Sequence, residues 1–138
     1  MSEQVLFSDT YITLSYNTSF DCIYADWIGF QNLQTVQEGC ERILEAMVDK
    51  GCTKVLNDNT HVEGIWSSAA EWVGVDWFPR IRQAGMKCFA WVYSPSAFSR
   101  LSTDKSLRFT NDMNGIRIFD EKSEAEAWLA GILEKSVN

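Results

Sequence analysis

The 138-residue sequence contains one histidine, His61, and two prolines. Its four cysteines, Cys22, Cys40, Cys52 and Cys88, are spaced 18, 12 and 36 residues apart and form no C-x-x-C pair. A zinc site needs closely spaced ligands, so no metal is expected, and no cofactor motif stands out. No apolar run approaches the roughly 20 residues of a membrane span, which argues against a transmembrane protein. No basic residue precedes an apolar stretch between Met1 and Tyr11, unlike a secretory signal. Neither G-x-G-x-x-G nor G-x-x-x-x-G-K-S/T is present, so the glycine-rich phosphate loops are missing. No carboxylate pair or Ser-His-Asp order suggests a catalytic centre. Bases are scarce, 12 Lys and Arg against 19 Asp and Glu. The resulting net charge of −7 disfavours nucleic acid, whose affinity for proteins comes largely from cationic side chains.

What is present fits a globular domain. Apolar residues make up 46% and charged residues 22%, a balance that excludes disorder. A folded chain of this mass exposes roughly 7,300 Å² and buries about two-thirds of its extended surface. We expect a single domain over residues 1–138. Cys40 falls on an apolar helical stripe, and Cys22 and Cys88 fall in strand-like runs. Buried free thiols suit a reducing, cytoplasmic setting. Charge is uneven: residues 1–50 carry eight acids and two bases, whereas residues 80–117 carry seven bases and two acids. That second stretch is either ordinary solvated surface or a basic face for an anionic partner.

Periodicity divides the chain into alternating elements. Tyr11–Tyr16 and Cys22–Phe30 read as strands joined by turn residues 17–21, an antiparallel hairpin, with Val5–Phe7 as an extra short strand. Thr35 to Glu38 has the capping-box pattern. Val36, Cys40, Ile43, Leu44 and Met47 then follow at helical spacing, and Gly51 ends the helix. Gly39 inside that helix costs about 1 kcal/mol relative to Ala and marks close packing on the sheet. Thr53–Leu56 is a short strand, and Asn57–Ile65 a loop. Ser68 to Glu71 is a second capping box. The helix it opens breaks at Pro79, which lacks an N–H, giving segments 69–77 and 79–84. Met86–Tyr93 is a buried strand, Ala97–Leu101 a short helix capped by Ser96, and Asp104–Asn114 irregular. Ile116–Phe119 is the last strand, and Ser123 to Glu126 caps the final helix. Crossover helices demand mostly parallel strands. The expected fold is therefore α/β, a mixed sheet with an N-terminal antiparallel hairpin and then parallel strands.

This order, with five stretches of residues, resembles the STAS domain superfamily, in particular the stage II sporulation AA-like (STAS/SEC14-like) branch. The stretches are Ala25 to Gly29, Lys54 to Asp58, Gly64 to Ser68, Trp77 to Pro79 and Gly85 to Ala90. The resemblance spans about residues 10–135. In the regulatory members, anti-sigma factor antagonists, a serine in an Asp-Ser-Ser-Gly loop at a helix N-terminus is phosphorylated by a partner kinase. Here the stretch reads Trp66-Ser67-Ser68-Ala69: both serines remain, but the aspartate and glycine do not. The resemblance implies a non-enzymatic, protein-binding regulator acting through residues 57–72, with Ser68 or Ser67 as the phosphorylation site and a kinase or anti-sigma-like factor as partner. The other reading of these serines is simple helix capping.

Two further readings stay open. The SEC14-like similarity implies a small apolar ligand such as a lipid, held in a pocket lined by Trp66 and Trp77. Those two tryptophans flank the second helix and are harder to bury together, the alternative being that they pack the kinked helix onto the sheet; Trp27, Trp72, Trp91 and Trp128 sit on element faces and should fill the core. Alternatively Asp58, His61 and Glu63, in one loop after a strand, provide a hydrolase-like acid/base site; Asp58, Thr60 and His61 also join Trp66 and Trp77 as partner- or ligand-binding candidates. A pocket joining Asp58 and His61 to Ser94 or Ser96 would favour that enzyme. The uncovered edge at the hairpin leaves room for a homodimer.

Overall fold

A computed structural model describes residues 3–137, with the side chains of 3–132. The elements in chain order are β1 (Glu3–Ser8), β2 (Ile12–Asn17), β3 (Cys22–Phe30), α1 (Leu33–Lys50) and β4 (Lys54–Glu63). A helical run follows: a 3₁₀ turn (Ser67–Ala69), a π-helical segment (Trp72–Trp77) and α2 (Phe78–Gln83). Then come β5 (Cys88–Val92), α3 (Ala97–Phe109), β6 (Ile116–Phe119) and α4 (Lys122–Val137). The exposed surface is 7067 Å², close to the area expected from mass.

The six strands form one sheet in the order β1-β2-β3-β4-β5-β6. The pairs β1–β2 and β2–β3 are antiparallel, and β3–β4, β4–β5 and β5–β6 are parallel. The α/β mixed sheet is thus as expected; the extra strand, Glu3–Ser8 rather than Val5–Phe7, turns the hairpin into a three-stranded meander whose free edge is β1. Strands added in sequence by right-handed crossovers place those crossovers on one face. The larger core lies there: Ile12, Ile23, Trp27, Val55, Phe89 and Trp91 from the sheet meet Ile43 and Met47 of α1 and Trp77, Phe78 and Ile81 of the helical run. On the opposite face, Ala125 and Leu129 of α4 cover Cys22, Leu56, Ala90 and Val92. Among the described residues, no helix is long and apolar enough to cross a membrane.

Several local expectations need correction. The capping box of α1 is Asn32 with Thr35, one turn earlier than Thr35 with Glu38: Asn32 accepts from the Thr35 N–H, and Thr35 Oγ1 accepts from the Asn32 N–H. Asn57–Glu63 is strand, not loop, because β4 runs beside β3 over its whole length and its polar residues find partners there. Neither Ser68 nor Ser96 makes a side-chain cap, and α4 begins before Ser123. The irregular stretch after Leu101 is helical as far as Phe109. Its buried face is Ser99, Ser102, Thr103 and Ser106, which carries no apolar periodicity to read. Gly74 allows this close approach, since a Cβ there would lie 2.6 Å from Ser106 O.

Pro79 falls in the first turn of α2, as expected. The chain accommodates it by widening the preceding turn to a π-helix, with the Phe78 N–H bonded to Val73 O five residues back. Trp66 and Trp77 are both buried, at 5% and 1% exposure, in line with the alternative that they pack the helical run onto the sheet. All four cysteines are free, and only Cys88 is partly exposed. Much of the basic stretch is already paired: Arg80 with Glu41 and Asp76, Arg82 with Asp112, and Arg100 with Asp120.

Gly39 is where α1 meets the sheet. A Cβ at this position would stand 2.3 Å from Trp27 Cη2, a distance no side chain tolerates. Gly39→Ala gains about 1 kcal/mol of helix propensity and loses more to overpacking. Urea denaturation should show a net loss of about 1–2 kcal/mol. Gly131→Ala in α4, where nothing lies within 4 Å, should instead gain about 0.5–1 kcal/mol. A stabilised Gly39→Ala protein would contradict this packing.

Candidate functional site

Backbone register in β4 decides which of its polar side chains meet. Asp26 is level with Asp58, and Ile28 with His61. Trp27 therefore faces two residues, Asn59 and Thr60, and β4 carries a bulge. Without an extra residue, strict alternation would turn His61 to the α1 side along with Asn57 and Asn59. With it, Asn57, Asn59 and Val62 all line a cavity beneath α1. Asp58 and His61 instead bond Tyr24 and Asp26 of β3.

The carboxylate of Asp58 is occupied by this local structure. It is 2% exposed. It accepts from the Tyr24 hydroxyl at 2.8 Å, the Thr60 N–H at 2.9 Å and the Thr60 hydroxyl at 2.5 Å. The Thr60 bonds tie down the bulge. Burial and the charge of Asp58 push the Tyr24 phenol well above its ordinary pKa. His61 lies apart from this cluster. Its Nδ1 is 3.1 Å from Asp26 Oδ1, and its side chain is 62% exposed. Thr60, His61, Glu63, Pro95 and Ser96 line a shallow groove, and Asp58 is not in its wall. Ser94 is fully buried and donates to Val62 O at 2.7 Å. The groove brings His61 beside Ser96, while Asp58 and Ser94 are not among its lining residues. Among the described residues, no three His, Cys, Asp or Glu gather as metal ligands.

The other side of β4 is different. Trp27, Trp66, Trp77, Trp91 and Phe89 enclose an aromatic cavity with Asn57 and Asn59 in its wall. Gln31, Val36, Cys40, Val62 and Val73 complete it. Its volume is about 30 Å³, and it opens to solvent at a mouth. Hydrogen bonds fix the walls. Trp27 Nε1 donates to Asn57 Oδ1 at 2.7 Å, Trp77 Nε1 to Cys40 O at 3.0 Å and Trp66 Nε1 to Ser99 Oγ at 3.2 Å. The Trp66 backbone N–H also donates to Ser102 Oγ at 2.9 Å. Trp66 stacks near-parallel on Trp91, with ring centroids 6.2 Å apart. This explains the serines of α3: they receive the indole and backbone N–H groups of a wall residue.

Sequence reasoning named Trp66 and Trp77 for a pocket but missed Trp27, Trp91, Asn57 and Asn59. The alternation Val55, Asn57, Asn59 was the available signal, had the strand been carried past Leu56. Ser67 is half-buried and Ser68 exposed, at the start of a 3₁₀ turn of three residues. Lys105 Nζ reaches Ser67 O at 3.5 Å. No protein-family model matches this chain, and no curated protein matches its sequence.

Two outcomes test the polar face. Asp58→Ala strands the Tyr24 hydroxyl and the Thr60 N–H, and should cost about 3 kcal/mol in denaturant unfolding; a loss below about 1 kcal/mol would contradict the role in the bulge. The hydrogen bond to Asp26 raises the His61 pKa above 6.5. The pairing therefore stabilises fully below pH 6.5 and is lost as pH climbs through the higher native value. NMR titration should place the His61 midpoint above 6.5, falling back towards it in Asp26→Asn. An unchanged midpoint would remove Asp26 as the cause.

Proposed function

We propose that this domain is a non-enzymatic binding module for a small, neutral, largely apolar molecule held in the tryptophan-lined cavity. One observation carries the reading: four indoles and a phenyl ring converge on one cleft, and no Asp, Glu, Lys, Arg or His is among its lining residues. Apolar walls with a few polar groups are the usual composition of small-ligand sites. A charged occupant would lose its hydration with nothing to offset it. Size narrows the class further. The cavity itself, about 30 Å³, has room for about two water molecules and falls short of the roughly 150 Å³ of an apolar cavity that binds benzene, so a ring enters only where the walls at the open mouth give way. That favours a single-ring molecule over a lipid chain, so the SEC14-like resemblance supports the pocket rather than its usual cargo. The free thiols fit a cytoplasmic location.

A second reading keeps the regulatory side of the STAS resemblance, and the exposed Ser68 favours it. Phosphorylation there would add about two negative charges beside Lys105 and alter what residues 57–72 can bind, with a kinase and a protein partner implied. Phosphopeptides spanning Ser67 and Ser68, recovered from native cells, would support it; their absence across growth conditions would count against it.

Benzene serves as the simplest probe of the cavity. Titrated into the wild-type protein, it should change indole fluorescence saturably and raise the melting temperature. Val73→Ile, which adds one methylene to the wall, should weaken both responses. A linear, unsaturable fluorescence change with no thermal shift would defeat the proposal.

A further inference from the structure

The geometry points to a ligand that carries a hydrogen-bond acceptor, received by Trp91 Nε1. This rests on the binding function proposed above and specifies its chemistry. Of the four tryptophans around the cavity, Trp27, Trp66 and Trp77 each donate their indole N–H to a protein oxygen. The fourth does not. Trp91 is 3% exposed, and its Nε1 is buried with no hydrogen-bond partner among the described protein groups. Buried indole N–H groups ordinarily find acceptors, and leaving a donor unmet is costly.

Trp91 cannot easily turn away to find an acceptor in the protein. It sits on β5 between Ala90 and Val92, both buried under α4 on the opposite face. Its ring is stacked on Trp66 and packed edge-on against Phe78 and Phe89. The ring is thus fixed in the cavity wall. Asn59, 3% exposed, brings a carboxamide to the same cavity, which offers both a donor and an acceptor. A flat ring that lies against the indoles and presents one neutral acceptor uses each of these features: aromatic faces, a single fixed donor and an adaptable amide. Neutral heteroaromatics and small aromatic carbonyl compounds are the matching class.

Benzene, pyridine and N-methylpyridinium share a shape and differ in one respect each. They can be titrated into the full chain at mildly alkaline pH, where pyridine is neutral, with the indole N–H resonances followed by ¹H–¹⁵N NMR. Pyridine should bind about five- to tenfold more tightly than benzene, the increment of one neutral hydrogen bond. It should move the Trp91 indole resonance downfield, and N-methylpyridinium should not bind. In Trp91→Phe, which keeps an aromatic wall without the donor, pyridine and benzene should bind alike. Should that variant fail to fold, the wild-type Trp91 resonance decides the matter. Benzene binding as well as pyridine, or a Trp91 indole resonance that pyridine leaves in place, would overturn the acceptor assignment and leave the cavity function standing. Failure of both neutral probes to bind would overturn both. A Trp91 N–H held by a water that pyridine does not displace would also overturn it.

Discussion

Trp27 on β3 faces two residues of β4 rather than one, and the site follows from that extra residue. The bulge lets Asn57, Asn59 and Val62 share the α1 side of the sheet while Asp58 and His61 reach the polar side chains of β3 on the other. Asp58 secures the arrangement from behind, through the Thr60 N–H and hydroxyl. Asn57 secures it from within by accepting from Trp27. One strand thus separates a polar face from an aromatic one. Asp58, an acid/base candidate in the sequence, holds the backbone of the bulge through the Thr60 N–H.

The aromatic face is assembled from distant parts of the chain: β3, the start of the helical run, its π-helical segment and β5. Its precision comes from hydrogen bonds more than from shape. Three indoles are anchored by a side-chain amide, a backbone carbonyl and a serine hydroxyl, which restrict the rotation of rings that apolar packing alone would hold loosely. The serine-rich face of α3 belongs to the same design. Small hydroxyl side chains let that helix approach the π-helical segment at Gly74 while satisfying the N–H groups of Trp66. The widened turn before Pro79 places Trp72 to Trp77 where Trp77 can reach Cys40 O.

Much of this fold is legible in the sequence wherever apolar residues recur with a clear period. The second, third, fifth and sixth strands, the body of α1 and the break at Pro79 are read within a few residues of where they fall. So is the close packing at Gly39. The failures share a cause: in each, a polar residue does structural work. Asn57 to His61 look like a loop because strands are read from apolar alternation, yet every second side chain there is bonded to a neighbour in the sheet or lines the cavity. The second half of α3 looks irregular because its buried face is serine and threonine. Asn32 is overlooked as a cap because its box partner is Thr35 rather than Glu or Gln. Of the candidate site, Trp66 and Trp77 are legible as pocket residues. Trp91 is not, since an unmet indole N–H is a property of three-dimensional surroundings.

The central claim is that the tryptophan cavity is a dry, ligand-accepting space rather than a packing flaw or a water-filled gap. Xenon binds in apolar cavities by dispersion and cannot replace water at polar sites. A crystal pressurised with xenon should show one ordered atom in contact with Trp27, Trp66, Trp77 and Trp91. Ordered waters bonded to Asn57 and Asn59 in its place, with xenon found only at the surface, would contradict the account.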